Sequence, residues 1–147
     1  MDWKTLKAQL APAQVTVTVE LPYERTLQVT LGTLSYGEWM AVELAVPAPP
    51  VPRTIAGANG VKLPNQADVD YQQKLARVNE ERAYRRLALA LEKGGTVIPG
   101  ADEAEKAQAI QRDLDAGVSN ALLVWLTNAA MSGKVTAEAA AATFRSE

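Results

Sequence analysis

The stretch VPAPPVPRTIAGANGVKLPN, residues 46–65, constrains this chain more than any other, because it holds five of its eight prolines. A prolyl ring fixes its own φ, removes an amide donor and pushes the preceding residue toward extended backbone. No regular helix crosses such a segment, so the runs before it and after it must form separate elements joined by an arm. Asn59-Gly60, between RTIA and VKLP, suits a type I′ turn and allows a small hairpin inside the arm. The tetrapeptide GANG at 57–60 also fits the GxxG pattern of KH-type RNA loops, but that loop joins two helices and this one sits among prolines.

Before the arm the pattern is β-leaning. DWKTLKAQL suits a short amphipathic helix with Trp3, Leu6 and Leu10 toward one side and Pro12 stopping it. VTVTVEL (15–21) and TLQVTLGTL (26–34) alternate apolar and polar residues and are rich in β-branched types, which predicts a β-hairpin around PYER. SYGEWMAVELAV follows, with Ser35 and Glu38 at the spacing of a capping box and Trp39, Val42 and Val46 near one helix face.

After the arm the period changes to that of helices. Asp68 caps a helix from about Val69 to Lys93, closed by Gly94-Gly95. Asp102 caps a second, through about Asp115, with Ala107, Ile110 and Leu114 as its stripe. Gly117 interrupts, and a third runs from Val118 to about Met131, apolar nearly all round from Ala121 to Leu126. Thr136 and Glu138 open a final alanine-rich helix to Phe144. The expected fold is α+β: a mainly helical C-terminal bundle, a small N-terminal β-hairpin part and a proline-rich connecting arm. The expected boundaries are 1–46, 47–67 and 68–147.

Two absences narrow the chemistry. The 147 residues contain no cysteine and no histidine, which removes disulfides, thiolate nucleophiles, the Ser-His-Asp triad and the commonest metal ligands. A carboxylate enzyme using Mg²⁺ remains chemically open. Asp113 and Asp115, two residues apart, point in different directions on a helix, and Asp68, Asp70, Glu103 and Glu105 sit where helix dipoles favour acids. No catalytic, cofactor or metal residue is therefore assigned. A net charge of −2 argues against a nucleic-acid binder, and no apolar run approaches the length of a membrane span. No secretory signal is legible in MDWKTLKAQLAP, so the cytoplasm is the expected compartment.

Three arginines crowd the middle of the 69–93 helix. Ala76, Ala83, Leu87, Ala90 and Leu91 share one side of it, with Tyr84 at the edge, while Tyr71, Leu75, Val78 and Leu89 bracket Arg82, Arg85 and Arg86. Arg85 has Glu81 one turn before it, whereas Arg82 and Arg86 have no acidic residue three or four positions away and stand i,i+4 from each other. Plain solvation, binding of an external acidic partner, and pairing with carboxylates of another segment all fit this pattern. The sharpest expectation is a structural ion pair between Arg82 or Arg86 and Asp113 or Asp115 in RDLDAG, since arginine suits such bidentate pairs. Leu122, Leu123, Trp125 and Leu126 form the densest apolar cluster, which fits either a core or a groove for a partner helix.

DYQQKLARVNEERAYRRLALALEKGG followed by IPGADEAEKAQAIQRDLDAGVSNALLVWL resembles the tail assembly chaperones of long-tailed bacteriophages, over about residues 15–130. The proline arm departs from that family's pattern. The resemblance implies a non-enzymatic protein of the host cytoplasm that coats the long, helical tape measure protein and brings tail tube subunits to it. It defines no catalytic residues and implies no cofactor. Self-association of several copies along one client would add avidity. The competing expectation is a virion structural component, such as a minor tail or head–tail completion protein.

Overall fold

The computed structural model describes residues 1–9, 14–56 and 60–130. The order of elements is α1 (Trp3–Gln9), β1 (Gln14–Leu21), β2 (Arg25–Gly32), α2 (Tyr36–Ala45), β3 (Arg53–Ala56), β4 (Val61–Pro64), α3 (Val69–Lys93), α4 (Glu103–Asp113) and α5 (Ala116–Ala130). The fold is α+β, with helices dominating the C-terminal part and two separate antiparallel two-stranded sheets. The expected helix at 136–144, the stop at Pro12 and the Asn59 half of the arm's turn lie outside the described residues.

β1 and β2 pair from Gln14↔Gly32 to Leu21↔Arg25. Because strand side chains alternate, Val17, Val19, Leu27, Val29 and Leu31 share one face, and Val19 and Leu31 are buried in the core. Threonines occupy the other face, where Thr16 Oγ1 lies 3.3 Å from Thr30 Oγ1. The turn at Pro22–Glu24 takes left-handed backbone at two ordinary residues, Tyr23 (φ 64°) and Glu24 (φ 59°). α2 starts with the expected capping box: the Glu38 amide donates to Ser35 Oγ at 3.2 Å and the Ser35 amide donates to Glu38 Oε1 at 3.0 Å.

The 25-residue helix α3 is the spine of the molecule. Its C-terminal half packs on β2 and on α2, α4 and α5, so Leu87, Ala88, Ala90 and Leu91 are buried, while its N-terminal half runs past the bundle and Ala76 is exposed. The expected alanine stripe thus works as an interface only in its second half. Ala109 and Ile110 of α4 and Val118, Leu122 and Leu126 of α5 complete the core, each contributing through apolar area removed from water. α4 ends at Asp113, two residues earlier than expected. α5 begins at Ala116, so Gly117 lies in its first turn and does not break it. First-turn amides have no partner inside the helix, and Gly117 N–H donates to Asp115 Oδ1 at 2.7 Å.

Two elements stand off this core. No residue of α1 is buried. In the arm, β3 and β4 pair from Arg53↔Pro64 to Ala56↔Val61, the Asn65 amide extends the ladder to Pro52 O at 2.8 Å, and every side chain of β4 is exposed. Gly60 takes φ 68°, a conformation that glycine adopts without strain at the turn.

Candidate functional site

Arg82 and Arg86 face α2, not the α4–α5 corner. Arg82 Nε donates to Val46 O at 2.8 Å and its Nη2 to Glu43 O at 3.4 Å, with Nη1 3.7 Å from the Glu43 carboxylate. Arg86 Nη2 donates to Trp39 O at 3.0 Å and lies 4.0 Å from the Glu43 carboxylate, and its guanidinium sits 4.0 Å above the Trp39 ring. Trp39 and Glu43 are spaced i,i+4, as are Arg82 and Arg86, so two turns of each helix present matching pairs. The last carbonyls of α2 have no intrahelical partner, and Arg82 supplies one.

The expected pairing with Asp113 or Asp115 is therefore incorrect. Asp113 accepts both Nε (2.8 Å) and Nη2 (3.1 Å) of its neighbour Arg112, and Asp115 accepts the Gly117 amide. Arg85 keeps its local partner Glu81 at 2.8 Å and also reaches Glu103 of α4 at 3.6 Å. The three arginines thus serve two different contacts: Arg82 and Arg86 hold α2 and the root of the arm, and Arg85 turns toward α4. Burial pulls the Arg86 guanidinium below its ordinary value, Glu43 pushes it back up, and the Arg82 charge lowers it further. It remains a cation.

Arg82→Met is expected to lower stability by about 1–3 kcal/mol, because Val46 O loses its donor within a partly buried contact. Arg82→Lys should restore little of this, since a single ammonium cannot replace a fork that bridges two carbonyls. Urea midpoints check both variants, and a wild-type midpoint for Arg82→Met would mean that the Arg82 contact with α2 adds nothing to stability.

A second link fixes the start of α2 to the end of α3. Lys93 Nζ donates to Thr33 O at 3.0 Å and to the Glu38 carboxylate. Burial pushes the Glu38 carboxyl up, but the hydrogen bonds from Lys93 and Ser35 outweigh it and hold the group below its ordinary value. A depressed carboxylate contributes stability that is fully present above its unfolded pKa and is lost as pH falls through the folded one. Acid is therefore expected to destabilise the wild type more steeply than Glu38→Gln in parallel urea titrations below about pH 4.3. Parallel curves would show that Glu38 contributes nothing to the acid response.

The apolar cluster predicted on α5 divides in two. Leu122 and Leu126 are buried in the core, the first of the two readings of this cluster, and Leu122 also lines the cleft described below. Leu123 and Trp125 are half-buried against the same core. β1, α3 and α4 cover one side of this helix, while Ala121 and Val124 on its other side are exposed.

What the chain does open to its surroundings is a cleft of about 540 Å³ between β2, the α3–α4 linker, α4 and α5. Residues 27–30 of β2 form one wall and Gly94–Pro99 another, while Ile110, Leu114 and Val118 close the third. The lining is apolar apart from backbone, Gln28, two threonines and Asp113, and Val97 and Leu114 stand exposed on its rim. No sequence periodicity announces such a cleft, since its walls come from four elements. Among the described residues no group of three or more acidic side chains could hold a metal ion, and no helix is long and apolar enough to cross a membrane. No family model, curated protein or solved structure matches this chain.

Proposed function

We propose that this chain is a non-enzymatic assembly chaperone of the phage-tail type, which keeps a long helical tape measure protein in solution and brings tail tube subunits to it in the host cytoplasm. The observation that carries the reading is α1: an amphipathic helix with no buried residue, on which Trp3 is 74% exposed. A helix that leaves a large apolar side chain such as Trp3 open to its surroundings is suited to lie along another helix. The absence of histidine and cysteine and the resemblance of residues 15–130 point the same way.

Co-expression with a tape measure protein fragment tests the reading. The chain is expected to raise the client's soluble fraction, and the pair Trp3→Asp and Leu6→Asp is expected to abolish that rescue without changing the circular dichroism spectrum. A client that stays insoluble beside the wild-type chain sinks the proposal. Mass spectrometry of mature particles separates the structural alternative, because a chaperone leaves before completion and a tail component remains in quantity.

A further inference from the structure

We propose that copies of this chain join head to tail, the arm of one copy laying its β4 strand into the apolar cleft beside β2 of the next. This inference stands apart from the client reading and concerns the chain alone.

The receiving side is an open strand edge. Among the described residues β2 pairs only with β1, and its residues 27–30 line the cleft while none of β1 does. The Thr30 carbonyl points away from β1 toward α3: a Cβ placed on Gly94 would lie 1.9 Å from Thr30 O. In an antiparallel pair, the backbone groups of alternate residues point the same way, so Gln28 and Thr26 also present N–H and C=O outward. Gly94 covers Thr30. Among the described residues no turn or loop backbone bonds to the edge at Thr26–Gln28, which is the condition in which an edge accepts a further strand.

The donating side is the arm. A two-stranded hairpin alone is marginal in water and needs a third strand or an apolar cover. Val61 and Leu63 alternate along β4, so they fall on one face, and both are about half exposed, 52% and 50%. That face matches the apolar lining at Ile98, Leu114 and Val118. Charge agrees as well. Residues 47–67 carry Arg53 and Lys62 and no acid. Among the described residues Asp113 is the one charged residue lining the cleft; Arg112 forks onto it, and the exposed Asp115 beside it leaves the corner net negative. Arm and cleft are different patches of one molecule, so the contact is heterologous and generates rings or open filaments.

Absence of native cysteine makes disulfide trapping clean. A tagged copy carrying Leu63→Cys, mixed under mild oxidation with an untagged copy carrying Leu114→Cys, is expected to give the mixed dimer in preference to either homodimer. Val124→Cys in place of Leu114→Cys presents a more open thiol, 61% against 36% exposed, away from the cleft and is expected to lose that preference. Equal yields for the two pairings overturn the proposal. Sedimentation of the purified chain is the second arm: mass should rise with concentration for the wild type and stay monomeric for Leu63→Asp, an exposed change whose fold circular dichroism verifies. The joint change Asp113→Lys and Asp115→Lys should also abolish association, and Arg53→Glu with Lys62→Glu on the arm should restore it. A wild type that remains monomeric throughout, or association that survives Leu63→Asp, refutes the arm as the occupant of the cleft.

Discussion

Gly94→Ala is expected to destabilise the protein by about 3 kcal/mol, an unusually large effect for one added methyl group. The reason is the close approach of α3 to β2. The new Cβ would lie 1.9 Å from Thr30 O, 2.5 Å from Thr30 C and 3.0 Å from Leu31 N, and all three atoms are backbone. A side chain could rotate away, but a strand paired along its length with β1 cannot. Relief therefore requires the end of α3 to lift from β2, which disturbs Leu31 and Leu91 in the core. Conformational strain is not the cause, because Gly94 has φ −80°, which alanine adopts freely. Its neighbour provides the control. Gly95 has φ 98° with nothing within 4 Å of a Cβ, so Gly95→Ala should cost only the left-handed penalty, about 1–2 kcal/mol. Equal urea midpoints for the two variants would contradict the packing explanation. Since Gly94 also borders the cleft, Gly94→Ala should weaken arm docking beyond its effect on stability.

Leu122→Ala is expected to cost about 2–5 kcal/mol, the range for truncating a well-packed core leucine. Leu122 is 1% exposed and touches the cluster formed by α3, α4 and the hairpin, so the cavity left behind has few neighbours free to fill it. Val124, on the same helix, is 61% exposed, and Val124→Ala should change the midpoint little. The comparison separates two roles for this hydrophobic helix. If Leu122 belonged to a docking surface, its truncation would weaken association and spare stability. The expected result is loss of stability, and because Leu122 also lines the cleft, association is compared at equal folded fraction. A stable Leu122→Ala protein would mean that α5 is less enclosed than its packing indicates.

Much of the fold is written in local pattern. Asp68, Asp102 and Ser35 each accept the amide three residues on, because a short polar side chain before an apolar-periodic run has few better partners. The hairpin followed from period-two alternation, and α3 from Val69 to Lys93 followed from its cap and its glycines. Gly117 misled because a glycine in a helix's first turn looks in sequence like one that ends it. Leu122 and Leu126 were legible as apolar, but whether such residues face a core or a partner depends on elements far away in the chain.

The arginines show where that limit lies. Sequence alone determined that Arg82 and Arg86 lack local partners, since i±3 and i±4 neighbours are fixed by helical geometry. It also determined that an arm follows α2, since prolines exclude helix whatever surrounds them. Only the tertiary structure decided that the arginines' partners are the α2 carbonyls, Trp39 and Glu43, and that β2 leaves an edge open above an apolar cleft. Caps and alternation act within a few residues, so they can be read from the sequence. Contacts between residues some forty positions apart depend on how helices and strands pack, and no short window contains that information.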